Sequence, residues 1–588
     1  MIARNLVTTA IEATWPKKEP IIFLGSWCCS FSRKPYWSSL DFEIVKYHWD
    51  DRKKLANDYK YLELTYEIFL EKFTNELNKI HSTSYSNRFW RILIGPWLYT
   101  CIQILFDRWY MLDKALKNEN NIIKYSLGND LSSLVADDMD SFNHIIETDE
   151  WNETLYSLLL KTHFSSKVSV NYVKNDVIKK KSQKKISKKN LLKSKIIKLS
   201  NKLSHFFSAN KSIFIIAPQM SFIKQILLHI RLKQFPVFWF NEPKRYSFIN
   251  NSKFRDNIDL LNKPESSNDF EDVLNNYIFK LIPRIYLEGF KSLLQTTKLQ
   301  GWPNAPESIF TSNSYASDEN FKCWAGHQVD LGSKLIIGQH GGNFGMTPMA
   351  IHETHQFKIS DKWLSWGWSN SKQKKIIPVG NFKSRQSKMK SKTDGDALLV
   401  SMTLPKFSYY LYSVPIASQM DDYFTSQLDF AKALPKHIRE KLKIRLYPLD
   451  RDWNQKERWQ SEIESISFDN GKKTLLDSLT QSRIFIGTYN ATTYLETFSV
   501  NMPSILFWNP NHWELNEEAM NYFNYLIKVK VLHFSPQSAA SHLTHIWDDI
   551  DNWWFSNDVQ EAVINFNNHY SKKNSNIINT IAKHLKYY

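Results

Sequence analysis

The chain Gly338-Gln339-His340-Gly341-Gly342-Asn343-Phe344-Gly345 follows the apolar run 334–337. A strand that empties into a glycine-dense loop lets the backbone come close to a ligand. His340 stands where the strand tip would face that ligand, and its imidazole suits donor binding or proton transfer. Just downstream, Glu353 lies in His352-Glu353-Thr354-His355 and offers a carboxylate that could take the proton of an attacking hydroxyl. The spacing is neither a dinucleotide fingerprint nor a P-loop. His352, Glu353 and His355 also raise the option of a metal cluster, but they lack a convincing ligand set, and no metal is expected.

A second stretch, 483–510, reads as a buried strand ending at Gly487-Thr488, a polar turn, and a helix opening near Ala491. Ligands of open α/β sheets gather at the carboxyl ends of strands. A helix start there presents free N–H groups and a positive dipole end to a phosphate. Gly341 and Gly342 would bring the opposite backbone close to the same ligand. Thr488, Asn490, Thr492 and Thr493 could add polar contacts, and Glu496 could accept from a sugar or ribose hydroxyl. The alternative is that Thr488 or Asn490 caps the helix and Glu496 is solvated. In the run 444–448, Arg445 could fork onto a phosphate and Tyr447 could stack on a base. A surface charge beside a turn proline is the competing reading.

These residues need strands and helices to hold them. The opening strand is 21–24, and the rest of the N-terminal third reads as mainly helical, with Leu62, Tyr66, Phe69, Leu70, Phe73 and Leu77 at helical spacing and a second helix over 89–112. From residue 206 the pattern alternates. Strands are expected at 213–217, 236–240, 308–311, 334–337, 363–366 and 376–379. After a polar linker at 383–396 the alternation restarts, with strands at 397–401, 444–447, 484–487 and 504–507. Helices are expected at 421–434, 458–466, 475–482 and 491–499, and the tail from 539 is helical. Alternation of this kind favours parallel sheets covered by helices. The expected fold class is α/β, with two Rossmann-like domains facing a cleft in the GT-B manner, a largely helical N-terminal region and C-terminal helices. The divisions are 1–170, a Lys-rich linker at 171–205, a first Rossmann-like domain at 206–382, the linker 383–396, a second, nucleotide-sugar-binding domain at 397–535, and C-terminal helices at 536–588.

Composition narrows the class. The chain has 588 residues, 42% hydrophobic and 23% charged, which is a globular balance long enough for several domains. Its 21 Trp either fill cores or line a groove. Four cysteines without metal-ligand spacing fit a reducing cytoplasm. The first residues lack the apolar core of a secretory signal. The apolar run 90–105 is interrupted by Arg91, Gly95 and Pro96 and falls short of a bilayer span. A cytoplasmic protein is expected. Much of the net charge of +17 gathers between Lys174 and Lys202, where Asp176 is the single acid. That segment is either a solvated linker or, through Lys179–Lys198, a peripheral contact with the inner membrane face. No nucleic-acid module is recognisable, and no nucleic-acid partner is expected.

Several runs together resemble the transferase family found in bacterial O-antigen and surface-carbohydrate gene clusters. They are FLGSWC at 23–28, YHWDDR at 47–52, FWRILIGPWL at 89–98, Phe106-Asp107-Arg108-Trp109, GQHGGNFG at 338–345, LSWGW at 364–368 and the helix 492–496. A more distant likeness is to GT-B enzymes that use CMP-activated ulosonic acids, the Kdo and sialic-acid transferases. Those carry a His-Pro pair at a strand end and Ser/Thr at the next helix start, where this chain has Tyr447-Pro448 and Thr492-Thr493. The resemblance implies surface-polysaccharide biosynthesis, and the expected activity is glycosyl transfer from a nucleotide-sugar donor, CMP-linked favoured, to a glycan or lipid-linked glycan acceptor. With helix-end amides, the Thr pair and Arg445 to neutralise the leaving phosphate, the transfer is expected to be metal-independent and to need no other cofactor. A CDP-polyol phosphotransferase of the same fold and a non-catalytic scaffold of polysaccharide assembly stand as alternatives. Asp50, Asp51, Arg52, Arg91, Asp107 and Arg108 read as an acceptor site or as buried ion pairs.

Overall fold

A computed structural model describes residues 4–17, 19–173, 213–239, 246–248, 255, 269–383, 389–409 and 411–586. The lysine-rich segment and part of the 383–396 linker lie outside the described residues.

Three parallel sheets make up the molecule. The first contains β1 (Asn5–Val7), β2 (Ile21–Phe23), β3 (Phe42–Ile44), β4 (Ile122–Ser126) and β5 (Val168–Tyr172), in the order β3-β2-β1-β4-β5. The second contains β6 (Phe214–Ile215), β7 (Ser308–Thr311), β8 (Lys334–Gly338), β9 (Lys362–Ser365) and β10 (Ile376–Pro378), ordered as in the chain. The third contains β11 (Asp396–Val400), β12 (Leu442–Arg445), β13 (Ser467–Phe468), β14 (Ser482–Gly487), β15 (Ser504–Phe507) and β16 (Leu532–His533). Its order is β13-β12-β11-β14-β15-β16, so the winding reverses between β11 and β14. The central strands are apolar runs because helices cover both faces; β15 and β7 are buried at every position.

The expected α/β class holds, with the second and third sheets as the two Rossmann-like halves. The N-terminal region does contain long helices, Arg52–His81 and Asn87–Leu116. It also folds the first sheet, which the sequence reading missed beyond β2. The reason is length: β1 and β3 have three residues each, too few to show a period, and the helical hairpin separates β3 from β4. The run 236–240 forms no strand over its described residues 236–239. Helix Asn87–Leu116 continues through Pro96 and is, by length and composition, long enough to cross a membrane. Its apolar window is 94% buried, which is the environment of a core helix.

Helix Asn557–Tyr570 packs on the third unit against Glu517–Lys528 and Thr492–Ser499. The chain then returns to the second sheet, where Lys572 N donates to Trp366 O at 2.8 Å and Ser308 Oγ donates to Leu585 O at 2.6 Å. The tail therefore straps the two halves together.

The N-terminal charges are structural. Asp51 caps the helix that follows by accepting from Lys53 N and Lys54 N, Arg91 pairs with Glu67, and Arg52 forks onto Glu514 of the third unit at 2.6 and 2.9 Å. Asp107 accepts from Tyr47 Oη at 2.7 Å and pairs with Arg108, both fully out of water. Asp107 is held below the ordinary carboxylate range: burial opposes its charge, but Arg108, His48 and Tyr47 together outweigh it. Removing one partner strands the other's charge in the core. Arg108→Ala is expected to cost about 3–5 kcal/mol, read from the urea midpoint of unfolding.

Candidate functional site

The glycine loop after β8 and the helix start after β14 meet. Gly342 N donates to Thr492 Oγ1 at 2.9 Å. A Cβ on Gly342 would lie 2.5 Å from the Ala491 carbonyl carbon and oxygen, and one on Gly341 would lie 3.1 Å from Thr492 Oγ1. At 342, only glycine lets the two backbones approach so closely. The same loop is tied to the third unit by Asn516, whose Nδ2 donates to Gly345 O at 3.0 Å and whose N donates to Met346 O at 2.9 Å. Gly345 itself has φ +74 and Trp368 fills the space a side chain would need. Helix Thr492–Ser499 has no side-chain cap at Ala491, so its first-turn N–H groups are not taken by a capping side chain.

His340 lies at this junction. Burial pushes its pKa down to about 4, and the Lys383 charge pushes the same way. The imidazole is therefore neutral near pH 7. Lys383 follows β10 and donates through Nζ to His340 O at 2.6 Å. Burial lowers its pKa, while Glu496 from the opposite half pulls it back up. An ammonium, a neutral imidazole and a carboxylate thus sit around the meeting point of the two strand-tip loops. His352 is held down to about 4 by burial and by its proximity to His340.

Glu353, in helix Ile351–Ile359, reaches back to the loop and accepts from Gly345 N at 2.8 Å. Burial raises its pKa to about 8, only partly offset by that N–H. It holds its proton at neutral pH and becomes a base just above it. His355 points elsewhere, packing beside Gly95 and the rings of Tyr99 and Tyr315. Among the described residues, no group of three or more His, Cys, Asp or Glu side chains is placed to hold a metal ion.

The remaining expected residues divide. Thr488 is buried at the tip of β14, donating to Val400 O at 2.8 Å and sharing a 2.7 Å hydrogen bond with Tyr423 Oη. It pins β14 to β11 and also lines a cavity of about 350 Å³ with Tyr423, Trp508, His512 and Trp513. Asn490 is buried and accepts from Tyr494 Oη at 2.9 Å, and Thr493 lies beside Tyr489. Tyr447 is 39% exposed beyond β12, with its carbonyl accepting from Gln455.

Arg445 corrects the sequence reading. Strand β12 ends at Arg445, two residues earlier than expected, and the side chain turns toward the β13 side. Its guanidinium is spent on Asp469 Oδ2 at 2.7 Å, Ser478 Oγ at 3.1 Å and Lys473 O at 2.8 Å. None of these bonds reaches the glycine loop. Arg445→Ala is expected to leave nucleotide affinity within about twofold while costing about 1–3 kcal/mol of stability. Isothermal titration and thermal unfolding of the variant check both halves of that expectation.

The cation at the junction is Lys383, which sequence reasoning missed. It is the first residue of a stretch whose composition reads as linker, and nothing in the local pattern marks it. Its proximity to His340 comes only from β10 lying two strands from β8.

A family model described as LIC12162 family transferase matches residues 4–585. No curated protein matches the chain. Among solved structures, MurG of Acinetobacter baumannii is similar at 9% identity, covering 64% of this chain and 99% of that one, with a TM-score of 0.31. The UDP-GlcNAc 2-epimerase of Neisseria meningitidis, solved with UDP-GlcNAc, is similar at 11% identity, covering 64% and 98%, with a TM-score of 0.31. WaaG, a glycosyltransferase involved in lipopolysaccharide biosynthesis, is similar at 9% identity, covering 64% and 99%, with a TM-score of 0.27. Scores of this size carry no argument alone, and the fold class rests on the chain's own sheets.

Proposed function

The chain belongs to the LIC12162 family of transferases, and from that premise we propose that it moves a sugar from a nucleotide donor to a surface-polysaccharide acceptor. The observation that carries this reading is the Gly342–Thr492 contact, which brings the strand tips of both halves to one place. The donor phosphate would lie there, against the uncapped start of helix Thr492–Ser499 and Lys383, so that leaving-group charge would be met by fixed dipoles and one basic side chain. The nucleoside would take the aromatic-lined cavity beside Thr488, whose volume of about 350 Å³ is of ligand size. Neutral His340 would orient the donor, and Glu353, once ionised, would accept the acceptor's proton. A CMP-linked ulosonic acid is the favoured donor, and a cytoplasmic site of action follows from nucleotide-sugar supply.

Isothermal titration with CMP, CDP and UDP, followed by mass spectrometry of products from the matching sugars with lipid-linked glycans, tests the reading. Tight binding of one nucleotide and a glycosylated product are expected. A polyol-phosphate product would move the assignment to the CDP-polyol reaction. Silence toward every nucleotide would leave a scaffold.

A further inference from the structure

Helix Phe222–Arg231 is mounted the wrong way round for a core helix. At 100° per residue, Phe222, Ile223, Ile226, Leu227 and Ile230 fall within an arc of about 140°. That apolar arc faces outward. Phe222, Ile223, Leu227 and Ile230, together with Phe235 just beyond the helix, are 48–69% exposed, whereas Leu228 and His229 are the residues it buries. The inner side is fixed to the body by helix Ile577–Leu585, with Arg231 bonded to Asn579, and by Lys224 Nζ donating to Phe382 O at 2.8 Å. The helix follows β6, the edge strand of the second sheet.

We infer that this ridge docks the protein on a membrane surface rich in anionic lipid. Charge and apolarity point to the same occupant. Between Met220 and Trp239 there is no Asp or Glu, and Lys233 stands just beyond the helix, while Lys224 and Arg231 add positive charge from their seats on Phe382 O and Asn579. A rigid apolar stripe with basic flanks and no acid is the pattern of an interfacial helix, whose apolar side enters the headgroup boundary while its cations meet lipid phosphates. A net charge of +17 draws the whole chain toward an anionic surface. The inference does not depend on which donor or acceptor the transfer site takes.

Flotation of the full chain with vesicles tests it, using phosphatidylcholine alone or mixed equally with phosphatidylglycerol. The wild type is expected to float with the mixed vesicles, and less as salt rises. The pair Ile223→Ser and Leu227→Ser should reduce vesicle-bound protein at least tenfold without lowering the unfolding temperature, because both side chains are exposed. Wild type that stays at the bottom with mixed vesicles overturns the inference. So does a double variant that floats as well as wild type, since the lysines alone would then suffice. A wild-type dimer that the double variant breaks, with no flotation of either, would make the ridge a contact between copies and overturn it too.

Discussion

Lys383→Ala is expected to lower kcat/KM for the donor by about 10²–10³-fold, the usual effect of deleting one group aimed at developing charge in a site shielded from water. The side chain is half-buried, and burial depresses its pKa, but Glu496 works against that shift. The net shift is downward, with burial outweighing Glu496 where the two halves meet. Lys383 also donates to His340 O, so its loss could act by loosening the glycine loop. Two readouts separate the roles. Lys383→Arg keeps the charge and should restore much of the lost activity, whereas Lys383→Met keeps the bulk and should not. The imidazole of His340 supplies the second readout. The Lys383 charge helps hold its pKa near 4, so proton NMR of the Met variant should show His340 titrating at higher pH. If Lys383→Met transfers sugar at the wild-type rate, the cation is not part of the site.

The contrast between Lys383 and Arg445 shows what could be read in advance. Both are cations near a strand end, and sequence alone favoured Arg445 because it lies in an obvious strand whose tip could present its planar fork to a phosphate. Which neighbour a strand-end side chain meets depends on sheet order, and order is not written in any one segment. Arg445 faces β13 and is neutralised by Asp469; Lys383 leaves β10 and is carried to β8. The glycine loop and the Thr492 helix were legible for the opposite reason. Their signals are local: glycines after an apolar run, and small polar residues before a helix. The first sheet escaped because its central strand β1 is three residues long and draws its stability from β2 and β4 on either side. Likewise, burial of Asp107 and Arg108 was foreseeable only as one of two options. The deciding fact, that Tyr47 and His48 bond to Asp107 and Asn152 to Arg108, joins segments more than forty residues apart in sequence.

Glu353→Gln is expected to cut kcat by about 10²–10⁴-fold, the contribution of a positioned general base. With its pKa at about 8, roughly one molecule in ten carries the ionised carboxyl at pH 7. The wild-type rate should therefore climb nearly tenfold per pH unit up to about pH 8 and then level, and the variant should lose that slope. The substitution is mild on the fold, since the amide oxygen can still accept from Gly345 N. Stability supplies an independent sign. A carboxyl whose pKa is raised on folding binds more protons in the native state between the ordinary value of 4.5 and about 8. Its contribution is fully present below 4.5 and is lost as pH rises through 8. The Gln variant lacks this titration, so it should gain on the wild type in unfolding temperature as pH is raised from 5 to 9. A variant that gains stability at high pH yet keeps the wild-type rate and its pH slope would reduce Glu353 to a brace of the glycine loop. Loss of the rate together with the slope, at unchanged nucleotide affinity, would place the proton transfer on this carboxyl.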